Sequence, residues 1–292
     1  LFKKYVKHNG MPDLIHCQSI FNAGFLGEYI FDNQNIPFIV TEHNSGFYYH
    51  NQGFRRFYNG VKRVLNKSKK CFAVSNNYSK YLDSEIKINK RWDFHHNLVN
   101  DQFIDTQLKK IDENNFTFLC VSRLHKIKNI DLIIQSFKIF NNYYPNSKLK
   151  IIGIGSELKN LKNIVIQNNL NNNVFFLGEK SRNDIVKEFD SSNAFVYASS
   201  FETFGVIFVE AMSLGKPIVS LNCKSSKEII PESCGIIVEK KTKEDFANAM
   251  IKLQKNYSFY DPLKIKQYCK SKFSEKKISL KMIDHYKRVL NQ

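Results

Sequence analysis

The sequence predicts a doubly wound α/β protein of two domains, and three observations carry that prediction. Short apolar runs alternate with helical stretches along almost all of the 292 residues. Within the runs the residues are apolar throughout rather than at every second position, the pattern of strands buried on both faces. Such strands, joined by helices, form parallel sheets covered on both sides. The polar run LKKIDENN (108–115) breaks the alternation once. It places a first domain at 1–113 and a second at 114–272, followed by a terminal helical segment at 273–292.

In the first half the strands are LIHC (14–17), PFIVT (37–41) and CFAVS (71–75), with helices expected around 20–31 and 54–67. The second half repeats the pattern more clearly, in FTFLCVS (116–122), KLKIIG (148–153), NVFFLG (173–178), NAFVYAS (193–199), PIVSL (217–221) and GIIV (235–238). Between the first two of these, Ile130, Ile133, Ile134, Phe137 and Phe140 fall on one face of a helix from Asn129 to Asn141. The closing FSEKKISLKMIDHYKRVLNQ reads as an amphipathic helix with no strand after it.

Composition removes several classes. A hydrophobic fraction of 42% with 14% aromatics excludes disorder. No apolar run approaches the ~18–20 residues of a spanning helix. The opening LFKKYVKHNG has no apolar signal core, and its lack of an initiator Met leads us to expect a fragment. Six scattered cysteines, several inside apolar runs and none in a CxxC pair, predict buried reduced thiols, a reducing cytoplasmic setting and no structural metal.

The formal net charge is +17. Lysines lie in both halves, so most of this charge is a solvated basic surface. One segment differs. Between Glu42 and Asp83 there is no acidic residue, but there are eight basic ones: Arg55, Arg56, Lys62, Arg63, Lys67, Lys69, Lys70 and Lys80. Phe47, Tyr48, Tyr49, Phe54, Phe57 and Tyr58 are interleaved with them. Such a stretch, 47–70, predicts contact with an anionic membrane face or a lipid-linked acceptor. Nucleic acid is not expected as a partner, since no RRM, KH or helix-turn-helix pattern occurs.

In open α/β sheets, ligands bind beyond the carboxyl ends of the strands, and three such places stand out. After the strand at 116–122, Arg123 and Lys128 flank the start of a helix, a placement suited to a diphosphate. After the strand at 193–199 comes SSFETFGVIFVEAMSLGKP, with Thr203 as expected N-cap, Gly205 allowing close approach, and Glu202 and Glu210 eight apart. The amides of 204–206 would there favour phosphate. The glycine pair of IIGIGSEL (151–158) lacks the third glycine and the acid of a dinucleotide fingerprint, and reads as a tight turn.

Together and in this order, the segments SRLHKIKNIDLIIQSF and FETFGVIFVEAMSLGKPIV resemble glycosyltransferase family 4, the second matching its E-x7-E signature. Weaker echoes are GIGSEL, FLGEKSRNDI, AVSNNYSKYL, TEHN and NLVND. The resemblance implies a GT-B fold, two Rossmann-like domains facing a cleft, with the final helix crossing back onto the first. It implies that Arg123 and Lys128 hold the donor diphosphate. Glu210 would bind the ribose and Glu202 the donor sugar, with Thr203, Phe204, Gly205 and Val206 near sugar and phosphate. Backbone at Gly178, Glu179 and Lys180 would meet the base, and His43 would approach the sugar. The chain begins at the family's mid-first-domain stretch, which implies a missing first part. Gln18 stands where a second His is often found.

The function so implied is retaining transfer from a nucleoside-diphosphate sugar, uridine before guanosine, to an acceptor glycan or lipid-linked sugar. No metal cofactor is expected: no D-x-D pair is present, and Arg123, Lys128 and a helix N-terminus can stabilise the leaving phosphate. The competing readings are a GT-B-like sugar-nucleotide epimerase and a non-catalytic protein that binds nucleotide sugars or a membrane surface.

Overall fold

The computed structural model describes residues 2–47, 52–104, 106–108 and 115–291, and of residues 52–56, 101 and 102 the backbone alone. The chain divides into two compact units, residues 1–97 with 276–292, and residues 98–275.

The first unit runs α1 (Phe2–Asn9), β1 (Ile15–Gln18), α2 (Phe25–Gln34), β2 (Phe38–Glu42), α3 (Gln52–Lys67), β3 (Lys70–Ala73), α4 (Asn76–Glu85) and β4 (Asp93–Phe94). The strands pair in parallel in the order β1-β2-β3-β4. All five residues of β2 are buried, as its unbroken apolar run requires. Two-residue β4 is too short to show any periodicity and was not foreseen. The helix expected over 20–31 begins only at Phe25. Before it, Ser19 and Asn22 have positive φ (85° and 63°) and Phe21 is extended, so residues 20–24 form a kink. The cause lies in β2: the fully buried Glu42 carboxylate accepts from Ile20 N at 2.8 Å and from Ser19 Oγ at 3.3 Å, tying this turn to the sheet.

The second unit begins with α5 (Asp101–Ile104) and β5 (Thr117–Val121), then α6 (Ile130–Tyr143), β6 (Lys148–Ile152), α7 (Leu158–Gln167) and β7 (Val174–Phe176). It continues through α8 (Arg182–Asp190), β8 (Ala194–Tyr197), α9 (Val206–Ser213), β9 (Ile218–Leu221), α10 (Ser225–Ile229), β10 (Gly235–Val238), α11 (Lys243–Lys255) and α12 (Pro262–Phe273). α6 buries Ile130, Ile133, Ile134, Phe137 and Phe140, the face that its periodicity predicts. Side-chain caps start α8 (Ser181), α11 (Thr242) and α12 (Asp261, with Pro262 following). Extended Ser274 ends α12, and α13 (Glu275–Leu290) clusters with the first unit from Lys276 onward. There Val289 packs with Ile39 and Phe72.

The six strands are parallel in the order β10-β9-β8-β5-β6-β7. Chain order therefore runs outward from β5 in one direction, then returns to β8 and runs outward in the other. The reversal leaves a crevice beyond the carboxyl ends of β5 and β8, where ligands of such sheets bind. All six cysteines are buried and unpaired. Among the described residues no helix is long and apolar enough to cross a membrane.

The loops after β5 and β6 pack backbone to backbone. Ser122 N donates to Ile152 O and Leu124 N to Ile154 O. Gly153 has φ 133°, and a Cβ there would lie 1.9 Å from Ser122 O. Gly153→Ala should therefore lower stability by about 2–4 kcal/mol through strain and overpacking. Urea unfolding is the measurement, and an unchanged midpoint would contradict the tight-turn reading.

Candidate active site

Two loops build the crevice. After β5 the chain makes a single 3₁₀ turn, Lys126–Lys128, and then Asn129 adopts the left-handed conformation (φ 46°, ψ 46°) that Asn tolerates. The Asn129 amide donates to Ala198 O at 2.7 Å and to Ser200 Oγ at 2.8 Å, while Ser200 N donates to Ile127 O. These bonds stitch the β5 loop to the β8 loop. The stitch leaves Lys128 beside the end of β8.

There Lys128 Nζ meets Glu202 Oε1 at 2.5 Å, Tyr197 Oη at 3.1 Å and Ser199 Oγ at 3.5 Å. Tyr197 donates to the same Oε1 at 2.6 Å. The ion pair is about four-fifths sheltered, with side-chain exposures of 21% for Lys128 and 18% for Glu202. Charge-assisted bonds this short and screened from water are strong.

α9 does not start as the sequence predicts. Its N-cap is Gly205, not Thr203. The cap needs φ 84°, which Thr would resist, and the Phe208 ring lies 2.5 Å from where a Gly205 Cβ would stand. In the first turn Phe208 N donates to Gly205 O at 2.9 Å, and the amides of Val206 and Ile207 precede this first bond of the helix. Val206 is exposed, Thr203 half-buried, and Phe204 buried edge-on against Phe273. Glu210 lies one turn into α9, and the charge that acts on it is Arg182 at the start of α8. Burial pushes its carboxyl up to about 7, with Arg182 opposing.

Arg123 is exposed and lines an adjoining cleft of about 560 Å³. Gly153, His125, Glu179 and Lys180 share that wall. Gly178 has φ 69°, and its carbonyl accepts from Gly153 N at 2.8 Å, fixing the 178–180 backbone beside the β6 loop. The structure thus brings Lys128 to Glu202 and Arg123 to Glu179 and Lys180, as two neighbouring groups on one sheet edge. Tyr197, Ser199 and Arg182 escaped sequence reasoning. A hydroxyl on the last residue of a strand next to the crevice was the available signal for Tyr197.

In the first unit His43 follows β2, and its Nε2 donates to Gln18 Oε1 at 2.6 Å. Gln18 lies in turn 3.3–3.4 Å from His16, whose ring nitrogens meet Tyr286 Oη and Thr41 Oγ1, both at 2.7 Å. Burial, then the nearby His43, lowers the His16 pKa to about 4, so the ring is neutral at ordinary pH.

The basic stretch has counter-charges that the sequence did not reveal. Arg63 grips Glu28 of α2 through Nε and Nη2, at 2.7 and 2.9 Å. Lys67 pairs with Asp32 at 2.8 Å, and Lys70 with Asp93 at 3.0 Å. Three of the eight cations are thus neutralised by residues outside the segment. Phe47 is fully buried, Phe57 is exposed, and Lys62 lies over the Tyr58 ring. Tyr48 and Tyr49, and the side chains of Phe54, Arg55 and Arg56, lie outside the described residues.

Two Rossmann-like parallel-sheet units, with a cation–carboxylate pair at the switch point of the second, define the GT-B glycosyltransferase class. The chain belongs to the glycosyl transferases group 1 family, whose profile matches residues 101–271. The profile described as Glycosyltransferase Family 4 matches residues 2–103. The uncharacterized glycosyltransferase MJ1178 of Methanocaldococcus jannaschii is 27% identical over 256 residues, covering 87% of this chain and 68% of that protein. MJ1059 of the same organism, also an uncharacterized glycosyltransferase, is 36% identical over 134 residues, 45% of this chain and 32% of that one. Against the larger of these relatives' lengths, then, the match spans about a third. Among solved structures, Anabaena Alr3699/HepE in complex with UDP superposes with a TM-score of 0.85 at 18% identity, covering 98% of this chain and 81% of that one.

Glu210 makes stability depend on pH. Its folded pKa lies above the unfolded value of ~4.3. The stabilisation is therefore present below about pH 4, and is lost as pH rises through about 7. Glu210→Gln removes that loss. The variant should match the parent near pH 4.5 and exceed it by at most about 4 kcal/mol at pH 8. Denaturant melts at the two pH values test the sign, and equal differences at both would contradict it.

Proposed function

We propose that this chain binds a nucleoside-diphosphate sugar, uridine-based, on the carboxyl edge of the six-stranded sheet and transfers the sugar, with retention and without metal, to an acceptor hydroxyl. One observation carries the reading: Lys128 and Glu202 are held together at the β5/β8 switch point, beside the open N-terminus of α9. The pair offers a cation for the diphosphate and a carboxylate for sugar hydroxyls within one contact. Arg123, on the adjoining cleft, is placed to take phosphate oxygens through its guanidinium. The UDP in the Alr3699/HepE structure supports the choice of nucleotide.

In the reaction the bond from the anomeric carbon to the departing phosphate oxygen breaks as the acceptor oxygen attacks the same face. The acceptor proton passes to the departing phosphate. Negative charge growing on that phosphate is stabilised by Lys128, Arg123 and the α9 amides. Glu210, near Arg182, is assigned the ribose. Gly178, Glu179 and Lys180 are assigned the base, and His43 the donor sugar, on the strength of the family resemblance.

Isothermal titration with UDP tests the donor assignment. Arg123→Ala and Lys128→Ala should each weaken binding by about 1.5–3 kcal/mol, the range for bonds to charged groups. Glu210→Gln should weaken UDP as well, whereas Glu202→Gln should spare UDP and weaken the UDP-sugar. Unchanged affinity in both cation variants would sink the assignment. EDTA should leave transfer rates unaltered, and loss restored by Mg²⁺ or Mn²⁺ would refute metal independence.

The acceptor side of the proposal is a glycan or lipid-linked sugar, with contact to an anionic membrane through the unpaired part of 47–70. Lys62 and Lys69 remain without a carboxylate partner among the described residues, and Phe57 is half exposed. Each basic residue near such a surface contributes about 1 kcal/mol. Vesicles containing anionic lipid should co-sediment the protein, less so at high salt and less so after Arg55, Arg56 and Lys62 become Gln. Equal sedimentation with neutral vesicles, or none with either, would leave the segment as ordinary solvated surface.

A further inference from the structure

We propose that Tyr197 is a positioning residue of the donor site, its hydroxyl fixing Lys128 and Glu202 at the one point from which each reaches its half of the donor. The inference rests on the donor reading above and assigns a role to a residue that reading leaves out.

Two flexible side chains meet at this point, and something must hold them in place. Lys and Glu each lose up to ~2 kcal/mol of rotamer freedom on being ordered, which usually consumes what an ion pair contributes. A tyrosine on a strand has only two side-chain torsions, and this one is 5% exposed. Phe195 stacks on its ring at 5.8 Å and Phe208 packs edge-on at 5.3 Å. Its hydroxyl is thus a fixed point at the carboxyl end of β8. It donates to Glu202 Oε1 and accepts from Lys128 Nζ. Burial, reinforced by the Glu202 charge, raises the phenol's pKa well above its ordinary value, so it remains a donor across the working pH range.

The consequence concerns which bonds stay free. Oε1 of Glu202 is taken by two donors, Lys128 and Tyr197. Oε2 has no hydrogen-bond partner among the described residues and is left for a sugar hydroxyl. Lys128 has three N–H bonds, directed at Glu202, Tyr197 and Ser199. The Ser199 contact, at 3.5 Å, is the longest. It is the one a phosphate oxygen would displace, leaving Glu202 and Tyr197 to aim the remaining charge. Without the hydroxyl, Lys128 would keep its attraction to Glu202 but lose its direction.

Tyr197→Phe keeps the packed ring and removes the oxygen. Titration with UDP should then show one site per chain, with affinity weakened about tenfold, the loss expected for one bond to a charged group. The thermal midpoint of the ligand-free protein should stay close to the parent's. In a Lys128→Met background the same substitution should change UDP affinity less than twofold, because the group it positions is gone. A purely structural role would instead lower the number of binding sites at unchanged affinity. If Lys128→Met itself leaves UDP binding intact, the donor reading fails. If Lys128→Met weakens binding while Tyr197→Phe does not, or if Tyr197→Phe acts equally in both backgrounds, the donor reading stands and Tyr197 is not its positioning residue.

Discussion

The site depends on one stitch, the amide of Asn129 bonded across to Ala198 O and Ser200 Oγ. A parallel sheet brings the carboxyl ends of β5 and β8 side by side, but leaves the loops beyond them free to diverge. Asn129 removes that freedom by taking a left-handed conformation, ending one turn and opening α6 in the same residue. Lys128 is thereby carried to the end of β8. The interloop bonds at Ser122–Ile152 and Gly153–Gly178 extend the same logic along the edge toward β7. Hydrogen bonds through the Asn129 side chain and between the loop backbones set the floor of the crevice.

On that floor the charges are arranged so that few are wasted on water. Lys128 and Glu202 are mostly sheltered, where removing one partner of a pair typically costs several kcal/mol because the other stays behind uncompensated. Glu210 shows the opposite arrangement. Among the described residues no cation forms an ion pair with it, and burial, opposed by Arg182 at the start of α8, pushes its carboxyl up to about 7. Two glutamates in one motif thus have different environments: one is clamped against Lys128, the other is buried with its carboxyl pushed up. Sites that handle a polar ligand commonly hold such perturbed groups.

The first unit places its polar groups by a comparable economy. Glu42 is wholly buried, yet its carboxylate accepts from Ile20 N, Asn44 N and Ser19 Oγ, so its lone pairs are met by a turn that would otherwise continue as helix. Burial still raises its pKa, those bonds opposing. His43, His16 and Tyr286 are linked through Gln18 and Thr41, which ties the residue after β2 to α13, the last helix of the chain. In α3 the cations Arg63 and Lys67 face carboxylates of α2.

The sequence alone determined the architecture and pointed to the candidate crevice. Wholly apolar strands separated by amphipathic helices leave little alternative to parallel sheets, and the residues after such strands are where ligands meet them. It also singled out Lys128 and Glu202, because the motifs around them are local. It could not decide which side chains meet. Lys128 and Glu202 are 74 positions apart, and Tyr197 reaches both only because β8 lies beside β5 rather than beside its chain neighbour β7. Nor could it cap α9 correctly: Thr203 has the better intrinsic propensity, but the turn into α9 demands a positive φ that glycine alone adopts freely. The charge pairing of the 47–70 segment was hidden for the same reason. Its counter-charges Glu28, Asp32 and Asp93 are distant in the chain and near in space, and only the folded sheet brings them together.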